Sequence, residues 1–134
     1  GGLTAGRNVH IAAHCCLSGA ASIELADFCG LSQGVRIFSS SDDYSGDSLT
    51  NPTVPDVFKS NKSLPVRLGR HSIVGANSII LPGSDIGDGV AVGALSLVNR
   101  NLDAWSIYAG APARLVRKRN RRALELEGEY LREK

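Results

Sequence analysis

The chain has no methionine, a single tryptophan and only 5% aromatic residues. So few aromatics leave no stacking platform of the kind nucleic-acid binding uses, and no nucleic-acid partner is expected. No apolar run approaches the roughly 18 residues of a membrane-spanning helix. The opening residues, GGLTAGRNVH, lack the charged-then-apolar order of a signal segment, so a cytoplasmic protein is expected. Cysteine is scarce and odd in number: Cys15, Cys16 and Cys29 stand without a C-x-x-C spacing, as thiols of a reducing compartment would. Ser39 to Ser41 do not stand in a Gly-x-Ser-x-Gly elbow that would make one of them a hydrolase nucleophile. Asp42, Asp43 and His10 lack a third well-spaced ligand, so no metal is expected. At 134 residues the chain has length for one core and no second domain.

What the chain has instead is a period of six. Leu68, Val74, Ile80, Ile86 and Val92 head the units LGRHSI, VGANSI, ILPGSD, IGDGVA and VGALSL, and Val98 opens the next. Gly follows the aliphatic residue in four of the five units, and Ser or Val holds the fifth position in all of them. A helix would repeat at about 3.6 and a surface strand at 2. A strict six describes rungs of a parallel β-helix, in which three hexads make one coil and stacked coils bury a continuous core. Earlier in the chain AGRNVH, IAAHCC and LSGAAS fill residues 5–22, and LADFCG, LSQGVR and IFSSSD fill 25–42. Ile23 and Glu24 intervene, which makes that coil twenty residues long and predicts His10 stacked over Gly30 and Ser22 over Asp42. Because Gly1 and Gly2 open in mid-coil, a further coil or cap upstream is expected.

Residues 43–65 break the period with three prolines, which lack an N–H and fix φ. A 23-residue excursion is uncommon inside a compact domain and usually functional. Tyr44, Leu49, Val54, Val57 and Phe58 make it an ordered arm rather than a flexible tail. After Val98 the period ends. Residues 117–134 read as a helical tail, and residues 114–134 carry eight Arg or Lys against four Glu, so the basic charge is local. The expected division is a β-helix domain over 1–116, with its arm at 43–65, and a C-terminal helix over 117–134.

Three stretches together resemble one known family. VGANSIILPGSDIGDGVAVGALSLV, IYAGAPARLVRKR and VRIFSSSDDYSG with its arm are similar to the hexapeptide-repeat acyltransferases, and among them to sugar O-acetyltransferases of the galactoside and maltose type. The resemblance implies an all-β, left-handed parallel β-helix with an inserted arm and a short C-terminal α-helix. It also implies a homotrimer and an acetyl-CoA donor lying between adjacent subunits. The implied activity is O-acetylation of a sugar or glycan precursor for cell-surface polysaccharide. N-acetylation of a nucleotide-linked amino-sugar is the alternative, and a non-catalytic binding or assembly protein a third.

The chain departs from that family where its chemistry is expected. The alignment places Asp42 at the position of the catalytic His and Asp43 at that of the Pro that commonly follows. A carboxylate with a pKa near 4 is a weak base toward a hydroxyl. Its alternatives are to orient an imidazole or to bind an amino-sugar nitrogen. The candidate catalytic residues are therefore Asp42 with His10 or His14 of a neighbouring subunit; His71, just after the arm, is the remaining histidine. Ser40, Asp43 and Tyr44 are candidate acceptor-binding residues, although the run from Ser39 also reads as a turn launching the arm. Gly75, Ala76, Gly93 and Ala94 would let a pantetheine arm approach the backbone. Arg114 and Lys118 would meet CoA phosphates, with the solvated face of the tail as their alternative role.

Overall fold

A computed structural model describes residues 1–133 as three flat faces that meet at three corners and are repeated up a stack of coils. In the first coil the faces are strands β1 (Leu3–Ala5), β2 (His10–Ile11) and β3 (Cys16–Ser18); in the second they are β4 (Ile23–Leu25), β5 (Gly30–Leu31) and β6 (Arg36–Phe38). The chain then makes β7 (Ser40–Ser41), a 3-10 turn at Asp56–Phe58 and β8 (Lys62–Ser63) before it re-enters the stack. The third coil is β9 (Val66–Leu68), β10 (Ile73–Val74) and β11 (Ile79–Ile80), and the fourth is β12 (Asp85–Ile86), β13 (Ala91–Val92) and β14 (Leu97–Val98). Every coil-to-coil pairing is parallel: β1-β4-β9-β12 on the first face, β2-β5-β10-β13 on the second and β3-β6-β11-β14 on the third.

Register follows the sequence spacing. His10 pairs with Gly30 twenty residues on, as expected, while Ile73 pairs with Ala91 and Ile79 with Leu97, eighteen residues on. Ser22 does not lie over Asp42. Its carbonyl accepts the amide of Val66 at 3.0 Å, because the chain leaves the stack after Ser39 and Val66 occupies the next rung. Ser39 marks the exit: it is fully buried, and its hydroxyl donates to the Ala21 carbonyl at 2.7 Å.

Each hexad position has one physical job. The heading aliphatics Leu31, Ile37, Leu68, Val74, Ile80, Ile86 and Val98 are completely buried. The fifth position turns back inside, where Ser72, Ser84 and Ser96 donate to the carbonyl three residues earlier at 2.7–2.8 Å, so that no hydroxyl is buried unpaired. The tight turn is made at the fourth position, where Asn8, His14, Phe28, His71, Asn77, Leu95 and Trp105 all take positive φ. The glycine at position two answers a different need. A Cβ on Gly87 would meet the Ala104 amide nitrogen at 2.8 Å, and one on Gly75 would run into the Ala94 backbone, so glycine there lets the next coil close down.

At the far end β15 (Ser106–Ala109) stacks on β13, and β16 (Arg114–Lys118) folds back antiparallel on it. That hairpin takes the residues expected to begin the tail helix, so α1 runs only over Arg122–Arg132. It lies along the corner between the first two faces, where Asn8, Phe28, His71, Gly89 and Trp105 stack. Arg121 sits 5.8 Å over the Trp105 ring, Glu127 meets Arg70 and His71, and Tyr130 meets Phe28 and Asn8. The five stacked corner residues are separated by four spacings of about 4.8 Å, roughly 19 Å, and eleven helical residues rise about 16 Å, so one helix ties together nearly every coil. No helix among the described residues is long and apolar enough to cross a membrane.

Candidate active site

The arm begins where β7 pairs antiparallel with β8, Ser40 against Ser63 and Ser41 against Lys62. Ser40, a candidate for substrate, is committed to this joint: its hydroxyl shares a 2.7 Å bond with Ser63 and accepts the Ala20 amide at 2.8 Å. Asp43 is equally occupied. Its carboxylate accepts the Ser45 amide at 2.9 Å and the Ser48 hydroxyl at 2.8 Å. Ser45, through side chain and backbone, and then Ser48 hold its pKa below the usual carboxylate range. Asp43 therefore shapes the arm.

Asp42 faces outward, as does Asp47 further along the arm. Asp42 is exposed, and it borders two grooves that open on either side of the arm root. The larger, about 710 Å³, is polar and includes Asp43, Asp47, Asn61 and Lys62. The smaller, about 440 Å³, lies between the arm and the outward side of the third face, with Phe38, Ile79, Leu81 and Leu97 as its floor. Tyr44 borders both grooves and is 92% exposed. Asn61 and Lys62 also line the larger groove, which sequence spacing missed, because only the β7–β8 pairing carries the returning limb of the arm back to Asp42.

No histidine joins this group within the chain. His10 stands on β2, on the second face, and exposed His14 makes the positive-φ turn that follows. His71 plays a structural part, since its ring stacks on Phe28 at 5.0 Å and its Nε2 lies 2.6 Å from Glu127. The bond from Arg70, with that from His71, holds Glu127 below the usual carboxylate range.

Gly75, Ala76, Gly93 and Ala94 come together on the corner between the second and third faces, as adjacent rungs of one column. Ser32 occupies the same hexad position one coil earlier, and its amide donates to Val74. Arg114 pairs with Ala109 at the corner end of β15, whereas Lys118 pairs with Ser106 at the opposite end, about 10 Å along the strand at 3.3 Å per residue. Arg114 therefore adjoins the small-residue column and Lys118 does not. The cysteines are free: Cys29 is buried, Cys15 half-buried with its thiol donating to the Ser32 carbonyl, and Cys16 exposed.

No family profile matches the chain. A dTDP-4-amino-4,6-dideoxy-D-glucose acyltransferase from Escherichia coli is 35% identical over 130 residues, which are 97% of this chain and 68% of that protein. AntD, an N-acyltransferase from Bacillus cereus, superposes with a TM-score of 0.96 at 43% identity, over 99% of this chain and 72% of the other. AntD has been solved with dTDP and coenzyme A, with dTDP-4-amino-4,6-dideoxyglucose and coenzyme A, and with dTDP and 3-hydroxybutyryl-CoA. Those structures include variants of one serine and of one aspartate ten positions further along. A maltose O-acetyltransferase from Clostridium difficile 630 is more distant, with a TM-score of 0.74 at 25% identity.

Proposed function

The chain belongs to the hexapeptide-repeat acyltransferases, and from that premise we propose that it transfers an acyl group from a coenzyme A thioester to the amino group of a dTDP-linked 4-amino-4,6-dideoxyhexose. N-acylation replaces the O-acetylation expected from the family resemblance. Asp42 carries this reading. A sugar hydroxyl needs a base to take its proton as it attacks. A neutral amine already has a nucleophilic lone pair, and a carboxylate is suited to hold and orient its N–H groups. The site offers a free carboxylate and no imidazole within the chain. The AntD variants support the same residue. A serine and an aspartate ten apart are matched here by Ser32 and Asp42, one in the corner column and one at the arm root. The other pair with that spacing is Ser78 and Asp88. Buried Ser78 is bonded to the Gly93 carbonyl, and Asp88 accepts the Arg70 amide.

In the reaction the amine nitrogen attacks the thioester carbonyl, the C–N bond forms and the C–S bond breaks. The proton shed by the resulting ammonium ends on the departing sulfur. Asp42 positions the amine, and much of the acceleration comes from holding two reactants together. The pantetheine arm is assigned to the Gly75–Ala76 and Gly93–Ala94 column, where small side chains leave the backbone accessible, with Arg114 toward the phosphates. We further assign a left-handed winding, a cytoplasmic location and a homotrimer, in which His10 and His14 of one subunit face the arm of the next. In this division residues 1–116 with the arm 43–65 form the acyl-transfer unit, and residues 117–134 the tail.

The test is to supply acetyl-CoA with dTDP-4-amino-4,6-dideoxyglucose or with its 4-hydroxyl counterpart, reading thiol release and product mass. Amide formation with the amino-sugar alone is expected. Ester formation on the hydroxyl sugar with the amine untouched would overturn N-acylation.

A further inference from the structure

The outward positions of the third face from the second coil to the fourth form a small lattice. Register sets Arg36 beside Ile79 and Ile79 beside Leu97, while Phe38 and Leu81 stand two residues further along their strands. Phe38, Ile79, Leu81 and Leu97 are the apolar floor of the smaller groove, and Arg36, at its second-coil edge, is the one charged member of the lattice. Its guanidinium is oriented by a bond from one amino group to the Gly34 carbonyl at 2.7 Å. Among the described residues no carboxylate pairs with it, and the side chain is exposed, so its other N–H donors face solvent. A fixed fork of donors without a counter-ion suits a phosphate oxygen pair. The other cation near Asp42 is Lys62, which shares the larger groove with Asp42, Asp43 and Asp47. Three carboxylates against one ammonium give that groove a negative potential, which repels a doubly charged diphosphate.

We propose that Arg36 anchors the diphosphate of the nucleotide-linked acceptor and so selects it over the free amino-sugar. Coenzyme A then approaches over the third and fourth coils and the nucleotide over the second, so the two reactants meet at Asp42 from different sides. Arg36 and Phe38 lie two residues apart on β6, about 7 Å, which is close to the breadth of a hexopyranose with its substituents. The amine on C4 and the diphosphate on C1 sit at opposite ends of that ring, so the sugar spans Phe38, its amine toward Asp42 and its diphosphate toward Arg36. This rests on the acyl-transfer reading above and adds the residue that recognises the nucleotide.

The experiment measures dTDP, dTMP and coenzyme A binding by calorimetry, and KM and kcat for dTDP-4-amino-4,6-dideoxyglucose, in the unaltered protein and in Arg36→Gln, Arg36→Lys and Lys62→Gln. A hydrogen-bonded charge is worth roughly tenfold or more in affinity. Arg36→Gln should therefore weaken dTDP and raise KM by at least about tenfold, and should narrow the preference for dTDP over dTMP, while kcat and coenzyme A affinity hold. Arg36→Lys should recover part of the loss, since it restores the charge without the fork. Unchanged dTDP affinity in Arg36→Gln, or the loss appearing in Lys62→Gln instead, would overturn the anchor. Equal falls in dTDP and coenzyme A affinity would assign Arg36 to the packing of the third face and overturn it too. Because dTDP binding is read without transfer, ester in place of amide formation would overturn N-acylation and leave the anchor standing; no binding of dTDP by the unaltered protein would overturn both.

Discussion

The coil stack and the arm are built on opposite principles. From the second coil onward every hexad contributes a buried aliphatic, and even its hydroxyls are consumed by backbone carbonyls. Between residues 42 and 65 no residue is buried, and the arm is held by local bonds of its own, such as Asp43 to Ser45 and Ser48, and Asn51 to Thr53. Rigidity therefore resides in the stack, and the free carboxylate of Asp42 stands where the arm leaves it. The contrast predicts that arm variants change chemistry without changing stability, and that stack variants do the reverse.

The largest effect is expected at Asp42. Asp42→Asn keeps the shape of an exposed side chain, so thermal stability should hold while kcat on the amino-sugar falls by roughly two orders of magnitude or more. Equal turnover by the two proteins would remove Asp42 from the site. In the stack, Ile80→Ala should cost about 2–5 kcal/mol in denaturant titration, because the side chain is completely buried between coils. A loss below about 1 kcal/mol would mean that the stack relaxes around the cavity, and the contrast with the arm would weaken.

Ala94→Phe probes the boundary between the two regimes. Ala94 is exposed, so folding should survive while CoA affinity measured by calorimetry falls at least about tenfold. Unchanged affinity would place the donor elsewhere. The two candidate histidines are separated by single His10→Ala and His14→Ala variants. Because a neutral amine attacks without a base, both should keep kcat within about tenfold with CoA binding retained; a fall of about a hundredfold in either would make an imidazole of the neighbouring subunit the base.

The smallest effect concerns the tail. Arg70, with His71, lowers the pKa of Glu127. The stabilisation is thus present above the ordinary glutamate value near 4.3 and is lost as pH falls through the lower folded value. The sole tryptophan, Trp105, lies under Arg121 at the start of α1, so its fluorescence reports docking of the helix. Emission should change as pH drops below about 4. Glu127→Gln should abolish that transition at a cost of about 1 kcal/mol or less, since Arg70 is half exposed. A transition unchanged in the variant would assign it to other groups.

Much of this was legible in the chain. The six-residue period places the buried aliphatics that head the hexads and the His10–Gly30 register, because parallel coils repeat a spacing directly as a contact. The arm was legible as an interruption, and Asp42 as a carboxylate at its root. Two readings were incomplete for one reason. Ser22 over Asp42 and a helix from 117 both extended a local pattern past the point where a pairing partner intervened: Val66 in one case and β15 in the other. Ser40 and Asp43 read as substrate ligands because a serine-rich acidic run does not reveal which of its groups are already bonded.

By itself, then, the sequence determined the coils, since a core that repeats every six residues has one economical way to bury itself. Only the tertiary structure decided which polar groups remained free. Hydrogen bonds across the arm, between Ser40 and Ser63 and within the Asp43 turn, occupy those two groups, while Asp42 stands beside an apolar floor that reaches as far along the chain as Leu97. Hydrogen-bond satisfaction depends on what the fold brings near, and linear spacing carries no record of it.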